Sequence, residues 1–379
     1  MTLAAQVLSL LILPSLLYEG AAIAALYRWR RRARPRAAAT PAVTLLKPLH
    51  GLEPELYENL RSFCVQDYPA FQIVFGVQEA GDPAIAVVRR LQAELPERDL
   101  RLVINARNIG ANRKVSNLHN MLAEARHETL VISDADVRVG PDYLRAVVGP
   151  LTDPTVGVVT CLYRGVALRG LGSRLLAQHI NEGFLPSVLV AQWLGPSVFC
   201  GGATLALRRQ TLDAIGGFQA LADHLADDYQ LAALARARGL RTVLSSYLVD
   251  TVVAEESLVS FYRHALRWSR TIRSAQPVGH AFSFLTYPLP LALLGTLIGG
   301  GAGLVILGLA LALRIVLHYV AKLTLGSTTQ KGKYTFLGSD LFGFLIWLHA
   351  LFGRRIRWRQ ESFSVRPDGR MEKNDGALR

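Results

Sequence analysis

Cysteine is scarce in this 379-residue sequence, which contains three. Cys64, Cys161 and Cys200 lie far apart and lack the spacing of metal ligands, so neither a disulfide scaffold nor a zinc site is indicated. An odd number of cysteines suits a reducing compartment. We interpret all three as small buried apolar residues.

Two nucleotide-binding motifs are also missing. No G-x-G-x-x-G follows any strand-like segment and no G-x-x-x-x-G-K-[ST] occurs, so neither a dinucleotide-binding fold nor a P-loop nucleotidase is supported.

Acidic residues are fewer than basic ones, 29 against 42, which gives a net charge of +13. Residues 28–36 contain six arginines, and residues 354–379 contain eight basic against four acidic residues. Because the excess lies beside long apolar segments, it indicates anionic lipid headgroups as the partner and argues against nucleic acid.

Long apolar runs occupy both ends of the chain. Residues 1–27 are predicted to form an uncleaved transmembrane anchor, followed by a basic juxtamembrane linker at 28–39. Residues 281–353 are predicted to form a C-terminal membrane region with about two crossings. The basic tail at 354–379 then lies in the cytosol, as does the linker, by the positive-inside rule. The charge-rich end of this tail is predicted to be disordered.

Between these ends, strand-like and helix-like segments alternate, which predicts one α/β domain over residues 40–256 with a mainly parallel sheet. An amphipathic interfacial helix is predicted at 257–280. The predicted strands share short, apolar, β-branched composition: 43–49, 71–77, 100–105, 129–134 and 156–162.

Polar residues follow several of these strands, at the sheet edge where ligands bind in such folds. Asp134 and Asp136 end one strand and are two residues apart, so both carboxylates point the same way. Glu79 follows another strand, and Lys114 lies where a loop enters a helix. Each residue has a simpler explanation: the two aspartates as a turn, Lys114 as a solvated side chain. Together they favour a nucleotide diphosphate bound through a divalent cation.

A second acidic pair begins a predicted helix after residue 226. One of Asp227 and Asp228 would ordinarily cap the helix, which leaves a surplus carboxylate that could serve as general base. Upstream, Gly201 and Gly202 could let the backbone approach a ligand closely, or could form a tight turn.

Arginines at helical spacing, among them Arg267, share a face with Trp268 and other aromatic residues. The simpler account is a helix at the lipid headgroups, and the alternative is a clamp for a diphosphate beside a stacking surface.

Six motifs in order resemble the ceramide glucosyltransferase family of inverting glycosyltransferases. Residues 181–273, followed by 279–294, look similar to the bacterial hopanoid-biosynthesis glycosyltransferases within that group. The resemblance covers about residues 42–295. The six motifs are KPLHG (47–51), VQEAGDPAI (77–85), GANRKVSNL (110–118), SDADVRV (133–139), ADDY (226–229) and HALRW (264–268).

The resemblance implies a GT-A, Rossmann-like fold, a UDP-sugar donor, a divalent cation (Mg²⁺ or Mn²⁺) and a polycyclic or sphingoid lipid acceptor. By position, Glu79 is the donor-binding acid where ceramide enzymes have aspartate, and Asp82 shares that task. Asp134 binds the donor and the metal, Asp136 completes a DxD-like pair at the metal, and Asp228 is the general base.

The same resemblance places Arg267 and Trp268 at the acceptor or diphosphate, where we also expect His264 and Asp227. Lys114 is expected to assist in binding the donor diphosphate. His264 stands where the family motif usually has glutamine or arginine, which leaves its role open.

The implied activity is transfer of N-acetylglucosamine from UDP-N-acetylglucosamine to bacteriohopanetetrol, at the cytosolic face of a bacterial inner membrane. Glucosylation of ceramide or diacylglycerol from UDP-glucose is the first alternative. A membrane-tethered module that binds sugar nucleotides without turnover is the second.

Overall fold

The structure is a computed structural model that describes residues 3–32, 39–195, 199–326, 335–353, 355–358, 361–366 and 368–373. The chain divides into two compact units. The helical unit contains Met1–Arg32, Arg164–Pro196 and Val253–Ile356. The sheet unit contains Ala33–Tyr163, Ser197–Val252 and Arg357–Arg379.

Helices and strands alternate through the sheet unit, and helices dominate the other unit. The helices are α1 Leu3–Arg30, α2 Leu56–Cys64, α3 Ala84–Glu94, α4 Arg113–Met121, α5 Tyr143–Val148, α6 Gly170–Gln178, α7 Leu185–Leu194, α8 Arg209–Ala214, α9 Asp227–Ala237, α10 Leu258–Ala275, α11 Pro277–Phe282, α12 Pro288–Leu325 and α13 Thr335–Ala350. The strands are β1 Val43–Pro48, β2 Phe71–Val77, β3 Asp99–Ile104, β4 Thr129–Ile132, β5 Val137–Arg138, β6 Val156–Ala167, β7 Leu205–Arg208, β8 Arg241–Val253, β9 Arg355–Trp358, β10 Glu361–Val365 and β11 Met371–Lys373.

The main sheet has eight strands in the order β3-β2-β1-β4-β7-β6-β8-β5. Strands β3, β2, β1 and β4 are parallel neighbours, as predicted. Strand β7 runs antiparallel to both β4 and β6, and β5 runs antiparallel to β8. Of the antiparallel half, only residues 156–162 of β6 were predicted; β5, β7 and β8 were not, and β5 has only two residues.

Helices cover both faces of this sheet. In β1, Val43 and Leu45 face one core, whereas Leu46 faces the other. This alternation follows from the two-residue period of a strand, and it explains why strands buried on both faces read as continuous apolar runs. The parallel arrangement brings the ends of β1, β2 and β4 to one edge of the sheet.

Helix α10 confirms a helix within 257–280. Ser257 and Ser260 form a reciprocal capping box at its start. Helix α11 follows from Pro277. At the other end of the chain, α1 continues to Arg30, so the predicted linker begins as helix. Its residues 33–38 lie outside the described residues.

Within the described residues, one helical segment, Gly301–Leu325, is long and apolar enough to cross a membrane. Segments Pro277–Thr286 and Pro288–Leu297 pass the same test only together, with a bend of 62° between them. On α12, Leu304, Val305 and Leu323 are 63%, 74% and 65% exposed, which suits contact with lipid tails.

A buried charged cluster joins four segments of the helical unit. The Arg314 guanidinium on α12 lies 3.9 Å from Glu19 of α1, 3.5 Å from Glu182 and 3.4 Å from Asp340 of α13. All four side chains are at most 6% exposed. The acid that interrupts the first apolar run therefore has an ionic partner nearly 300 residues away.

The prediction of a disordered tail is wrong for its described part. Strands β10 and β11 pair antiparallel, with Val365 opposite Met371. The backbone of this hairpin binds the loop before α9: Leu225 N donates to Gly369 O at 3.1 Å and Met371 N donates to Asp223 O at 2.7 Å. Composition gave no sign of this, because the hairpin is held by backbone groups.

Candidate active site

The site begins at the end of β4, where Ser133 and Asp134 follow the last strand residue. Lys47 on the neighbouring strand β1 lies beneath them and is fully buried. Its Nζ donates to the Asp134 carbonyl at 2.5 Å and lies 3.4 Å from Ser133 Oγ. The ammonium also lies 3.8 Å from the centre of the Phe63 ring. A buried lysine thus fixes the backbone that presents the Asp134 carboxylate.

Burial lowers the pKa of Lys47 to about 7, although Asp134 and Asp136 act to raise it. Burial also raises the pKa of Asp136 to about 7, with a further contribution from Asp134 and Glu53. The Asp136 carbonyl accepts a hydrogen bond from Val252 N at 2.9 Å, which holds this residue against β8. The nearby positive charge is therefore too small to offset the cost of desolvating the ionised Asp136 carboxylate.

Lys114 lies between two of the acids. Its Nζ is 2.8 Å from Asp134 Oδ1 and 3.4 Å from Asp227 Oδ2, and its side chain is 15% exposed. Burial alone would lower the pKa of Lys114, but Asp134, Asp227 and Asp228 outweigh it and raise the pKa. Lys114 is therefore a charged link between the acid pairs, and the interpretation as a solvated side chain is wrong.

Asn112 fixes the start of α4 and joins it to the loop before α9. Its Oδ1 accepts from Val115 N at 3.1 Å as the N-cap. Its Nδ2 donates to His224 O at 2.8 Å and lies 3.5 Å from Asp227 Oδ1. Asn112 thereby sets the position of Lys114 relative to the second acid pair.

Asp227 and Asp228 occupy the first turn of α9, but neither caps it. The N-cap is Ala226, which has no side chain able to accept, so the expected capping role is wrong. Instead, Asp228 Oδ2 accepts from Gly202 N at 2.7 Å and Oδ1 accepts from Tyr229 N at 2.7 Å. Burial, followed by the charge of Asp227, raises the pKa of Asp228 to about 6, although Lys114 acts to lower it.

Gly202 marks the point where these groups converge. A Cβ at this position would lie 2.9 Å from Asp134 Oδ2, 3.0 Å from Lys114 Nζ and 3.5 Å from Asp228 Oδ2. Only a residue without a side chain leaves these three groups undisturbed. By contrast, Gly216 and Gly217 have φ of 96° and 67°, which is the left-handed backbone typical of glycine in a tight turn.

Glu79 and Asp82, the candidate donor-binding acids after β2, differ in exposure. The Glu79 side chain is 59% exposed and lies 3.7 Å from Arg113. The Asp82 side chain is 3% exposed. Its carboxylate accepts from Gly51 N at 3.0 Å and from Ala84 N at 2.8 Å. Asp82 therefore joins the loop after β1 to the start of α3, while Glu79 remains accessible.

Three predicted residues, His264, Arg267 and Trp268, lie on α10 in the helical unit. Arg267 Nη2 is 3.3 Å from His264 Nε2, and the rings of His264 and Trp268 meet edge to face at 4.4 Å. Farther along α10, Arg270 Nη1 donates to Arg355 O at 2.7 Å and Arg273 Nη1 donates to Ala350 O at 2.5 Å. These two later arginines bind carbonyls at and beyond the end of α13.

Asp134, Lys114, Asp227 and Asp228 thus lie close together in the sheet unit, with Asp136 two residues after Asp134. Sequence reasoning missed Lys47, the lysine of the KPLHG motif. A lysine at the end of an apolar strand was the available signal, because such a residue is rarely buried without a functional partner.

The positions of these acids indicate whether a divalent cation could bind at this site. No group of three or more histidine, cysteine or acidic side chains in the described ranges forms a preassembled metal site. Small divalent cations nevertheless bind through one or two carboxylates plus substrate phosphates. The buried, undercompensated carboxylate of Asp136 fits such a substrate-assisted site.

The sequence and the structure were compared with known proteins. A profile of glycosyl transferase family 21 matches residues 7–371. Ceramide glucosyltransferase 1 of Caenorhabditis elegans is 26% identical over 362 residues, which cover 91% of this chain and 76% of that protein. Ceramide glucosyltransferase 3 of the same organism is 23% identical over 344 residues, which cover 86% and 73%.

Among solved structures, the mannosyltransferase PcManGT from Pyrobaculum calidifontis, in complex with GDP-Man and Mn²⁺, aligns with a TM-score of 0.51 and 21% identity. The alignment covers 91% of this chain and 99% of that one. This likeness confirms the predicted GT-A fold.

Proposed function

The chain belongs to glycosyl transferase family 21 and is a glycosyltransferase; we propose that it transfers a sugar from a UDP-sugar to a lipid hydroxyl with inversion at the anomeric carbon. The observation that carries this proposal is the convergence of Asp134, Lys114 and Asp228 around Gly202. A donor site and a separate base are what a single displacement needs.

Asp228 is proposed as the general base. Its pKa of about 6 keeps it ionised at neutral pH, yet makes it more basic than an ordinary aspartate. Its carboxylate removes the proton from the lipid hydroxyl while that oxygen attacks the anomeric carbon. The bond from the sugar to UDP breaks in the same step, so no covalent intermediate with the protein is required.

The donor is proposed to bind through Glu79 and Asp134, with Asp82 holding the loop that carries Glu79. Lys114 stays charged beside Asp134 and is available to the diphosphate. Arg267 and Trp268 keep their predicted role at the diphosphate or the acceptor, as implied by the HALRW motif.

The cation is proposed to bind at Asp136 and Asp134. Lys114 is the one firmly charged ammonium group beside Asp134, Asp227 and Asp228, because burial lowers the pKa of Lys47 to about 7. The acids therefore outnumber the charged lysines, and a divalent cation would offset this excess of negative charge. When bound, Mg²⁺ or Mn²⁺ stabilises the negative charge of the leaving diphosphate. The Mn²⁺ in the PcManGT complex supports this assignment.

Two acceptors follow from different observations. The resemblance of residues 181–273 and 279–294 to the hopanoid-biosynthesis glycosyltransferases supports transfer of N-acetylglucosamine to bacteriohopanetetrol. The similar Caenorhabditis elegans proteins are ceramide glucosyltransferases, which supports glucosylation of ceramide instead. In either case the apolar outward surface of α12 supports a membrane location, which we propose to be the bacterial inner membrane with the sheet unit in the cytosol.

The test is a donor and acceptor panel with the purified full chain in lipid nanodiscs. Radiolabelled UDP-N-acetylglucosamine and UDP-glucose are each incubated with bacteriohopanetetrol, ceramide or diacylglycerol, with EDTA and with Mn²⁺ or Mg²⁺ added back. We expect cation-dependent labelling of one lipid. Absence of any labelled lipid and of UDP release would refute the proposal, whereas glucose found only on ceramide would overturn the hopanoid assignment.

The base is tested by Asp228→Asn, which keeps the side-chain shape. We expect turnover to fall by about 10² to 10⁴-fold. The matched control is Asp213→Asn, an exposed aspartate on α8 in the same unit, where turnover should not change.

A further inference from the structure

The open role of His264 can be addressed from its neighbours within the helical unit. His264 Nδ1 lies 2.5 Å from Glu255 Oε1, and His264 Nε2 lies 3.3 Å from Arg267 Nη2. His264 and Arg267 are three residues apart on α10, a spacing that places them on one face of the helix. The imidazole therefore joins a carboxylate to the arginine of the HALRW motif.

In the hydrogen-bonded series of Glu255, His264 and Arg267, the donors and acceptors determine which ring nitrogen carries a proton. A guanidinium can only donate, so His264 Nε2 must accept from Arg267. With Nε2 as the acceptor, Nδ1 is the nitrogen that donates, and its partner is Glu255 Oε1. A protonated imidazole would present a second donor to Arg267 and would lose the hydrogen bond.

Glu255 is held in place by close backbone packing against α6. A Cβ on Gly172 would lie 2.6 Å from Glu255 O and 2.3 Å from Ser257 O, so the loop after β8 approaches α6 more closely than any side chain allows. Burial alone would raise the pKa of Glu255, but the hydrogen bond with His264, the electrostatic effect of that ring and backbone hydrogen bonds at Glu255 and Ala254 together outweigh it and hold the pKa below its usual range. The Glu255 carboxylate, which accepts the hydrogen bond from His264, is therefore fixed in position.

The other side of the ring is also restrained. Trp268 packs edge to face against the His264 ring at 4.4 Å between centroids. With Glu255 on Nδ1 and Trp268 on its side, the ring has one orientation in which Nε2 reaches Arg267.

We propose that His264 is a positioning residue, which accepts a hydrogen bond from Arg267 and thereby fixes the orientation of that guanidinium. This inference rests on the proposed function for the role of Arg267. A glutamine, one of the two residues usual at this position of the family motif, offers a carbonyl oxygen that can accept the same hydrogen bond, whereas an arginine there cannot.

The test compares His264→Gln with His264→Ala in the purified full chain, using UDP release from the UDP-sugar that the wild type uses. We expect His264→Gln to keep kcat within about threefold, and His264→Ala to lower kcat by roughly tenfold to a hundredfold, with a smaller change in KM. If His264→Gln loses as much as His264→Ala, the proposal is overturned, because an acceptor alone would not suffice. Were His264→Ala to fail to fold, the kcat of His264→Gln would decide.

A double-mutant cycle separates positioning from a direct role of the imidazole. In an Arg267→Met background, His264→Ala should change kcat by less than about twofold, because its partner is already absent. A full His264→Ala effect in that background would show that the imidazole acts on its own, for example as a base, and would overturn the proposal.

A binding measurement keeps the inference distinct from the proposed function. UDP titration by calorimetry should show that His264→Ala and Arg267→Met weaken UDP binding non-additively. If the wild type transfers no sugar, the proposed function fails, whereas additive effects on UDP binding overturn the role of His264 alone.

Discussion

Replacing the proposed base should make the protein more stable while it abolishes turnover. In wild type, burial and the charge of Asp227 raise the pKa of Asp228 from 3.8 to about 6. Ionised Asp228 is therefore less favourable in the folded than in the unfolded state. The Asp228→Asn variant removes this cost at neutral pH.

The direction and the size of this change in stability follow from the linkage between proton binding and folding. Below about pH 4 the carboxyl group is protonated in both states and costs nothing. As the pH rises through 6 the folded state also ionises, and the full cost is then present. At about 1.4 kcal/mol per tenfold change in the ionisation constant, and with some solvent contact remaining, the cost is about 2–3 kcal/mol.

Asparagine has one carbonyl oxygen, so it retains only one of the two backbone hydrogen bonds, from Gly202 and from Tyr229. The loss of the other subtracts about 1 kcal/mol. The expected net gain at pH 7.5 is about 1–2 kcal/mol, or a rise in Tm of about 2–6 °C.

The assay is thermal unfolding of both proteins in the same nanodiscs at pH 7.5 and pH 4.5, at one heating rate. The gain should be present at pH 7.5 and should shrink towards pH 4.5. A variant that is less stable than wild type at pH 7.5, or a difference that does not depend on pH, would refute the reasoning that Asp228 is held ionised at a cost.

Three other variants test the same site. In Gly202→Ala, the new Cβ displaces Asp134 and Lys114, so kcat should fall by at least about tenfold with little change in Tm. The control is Gly20→Ala, where a Cβ meets nothing within 4 Å. An unchanged kcat in Gly202→Ala would contradict the convergence of Asp134, Lys114 and Asp228 at Gly202. Lys114→Met removes a charge that lowers the pKa of Asp228, so the acid limb of the kcat/KM profile should move above pH 6; a limb that stays in place would show that another group titrates. Lys47→Met removes a buried charge and the hydrogen bond to the Asp134 backbone, so Tm should equal or exceed that of the wild type while kcat falls by about tenfold or more. A lower Tm with normal kcat would make Lys47 purely structural.

The parallel half of the sheet was predictable because each strand is a complete apolar segment. Residues 71–77 were predicted to form a strand and coincide with β2. Strand β5 has two residues, Val137 and Arg138, and depends on β8, more than a hundred residues later. Its conformation is set by this long-range pairing, which local sequence does not record.

The acids of the site were predictable because carboxylates at strand ends and helix starts interrupt apolar patterns. The lysines that accompany these acids were harder to predict. In the sequence Lys114 resembles an ordinary helix residue, and only the fold places it beside Asp227. Lys47 is the one charged residue of an otherwise uncharged strand. Both lysines acquire their roles from burial, which depends on the tertiary fold.

The buried charges of the helical unit extend this reasoning to the apolar segments. Hydropathy identifies such segments but does not say which of them are neighbours, because lipid-facing surfaces are alike. Arg314 lies within 4 Å of Glu19, Glu182 and Asp340, which come from three other segments. An unpaired charge at such depth is costly, so any arrangement that separated Arg314 from these acids would be disfavoured. The charged residues that interrupt the apolar segments therefore help to select which helices pack together.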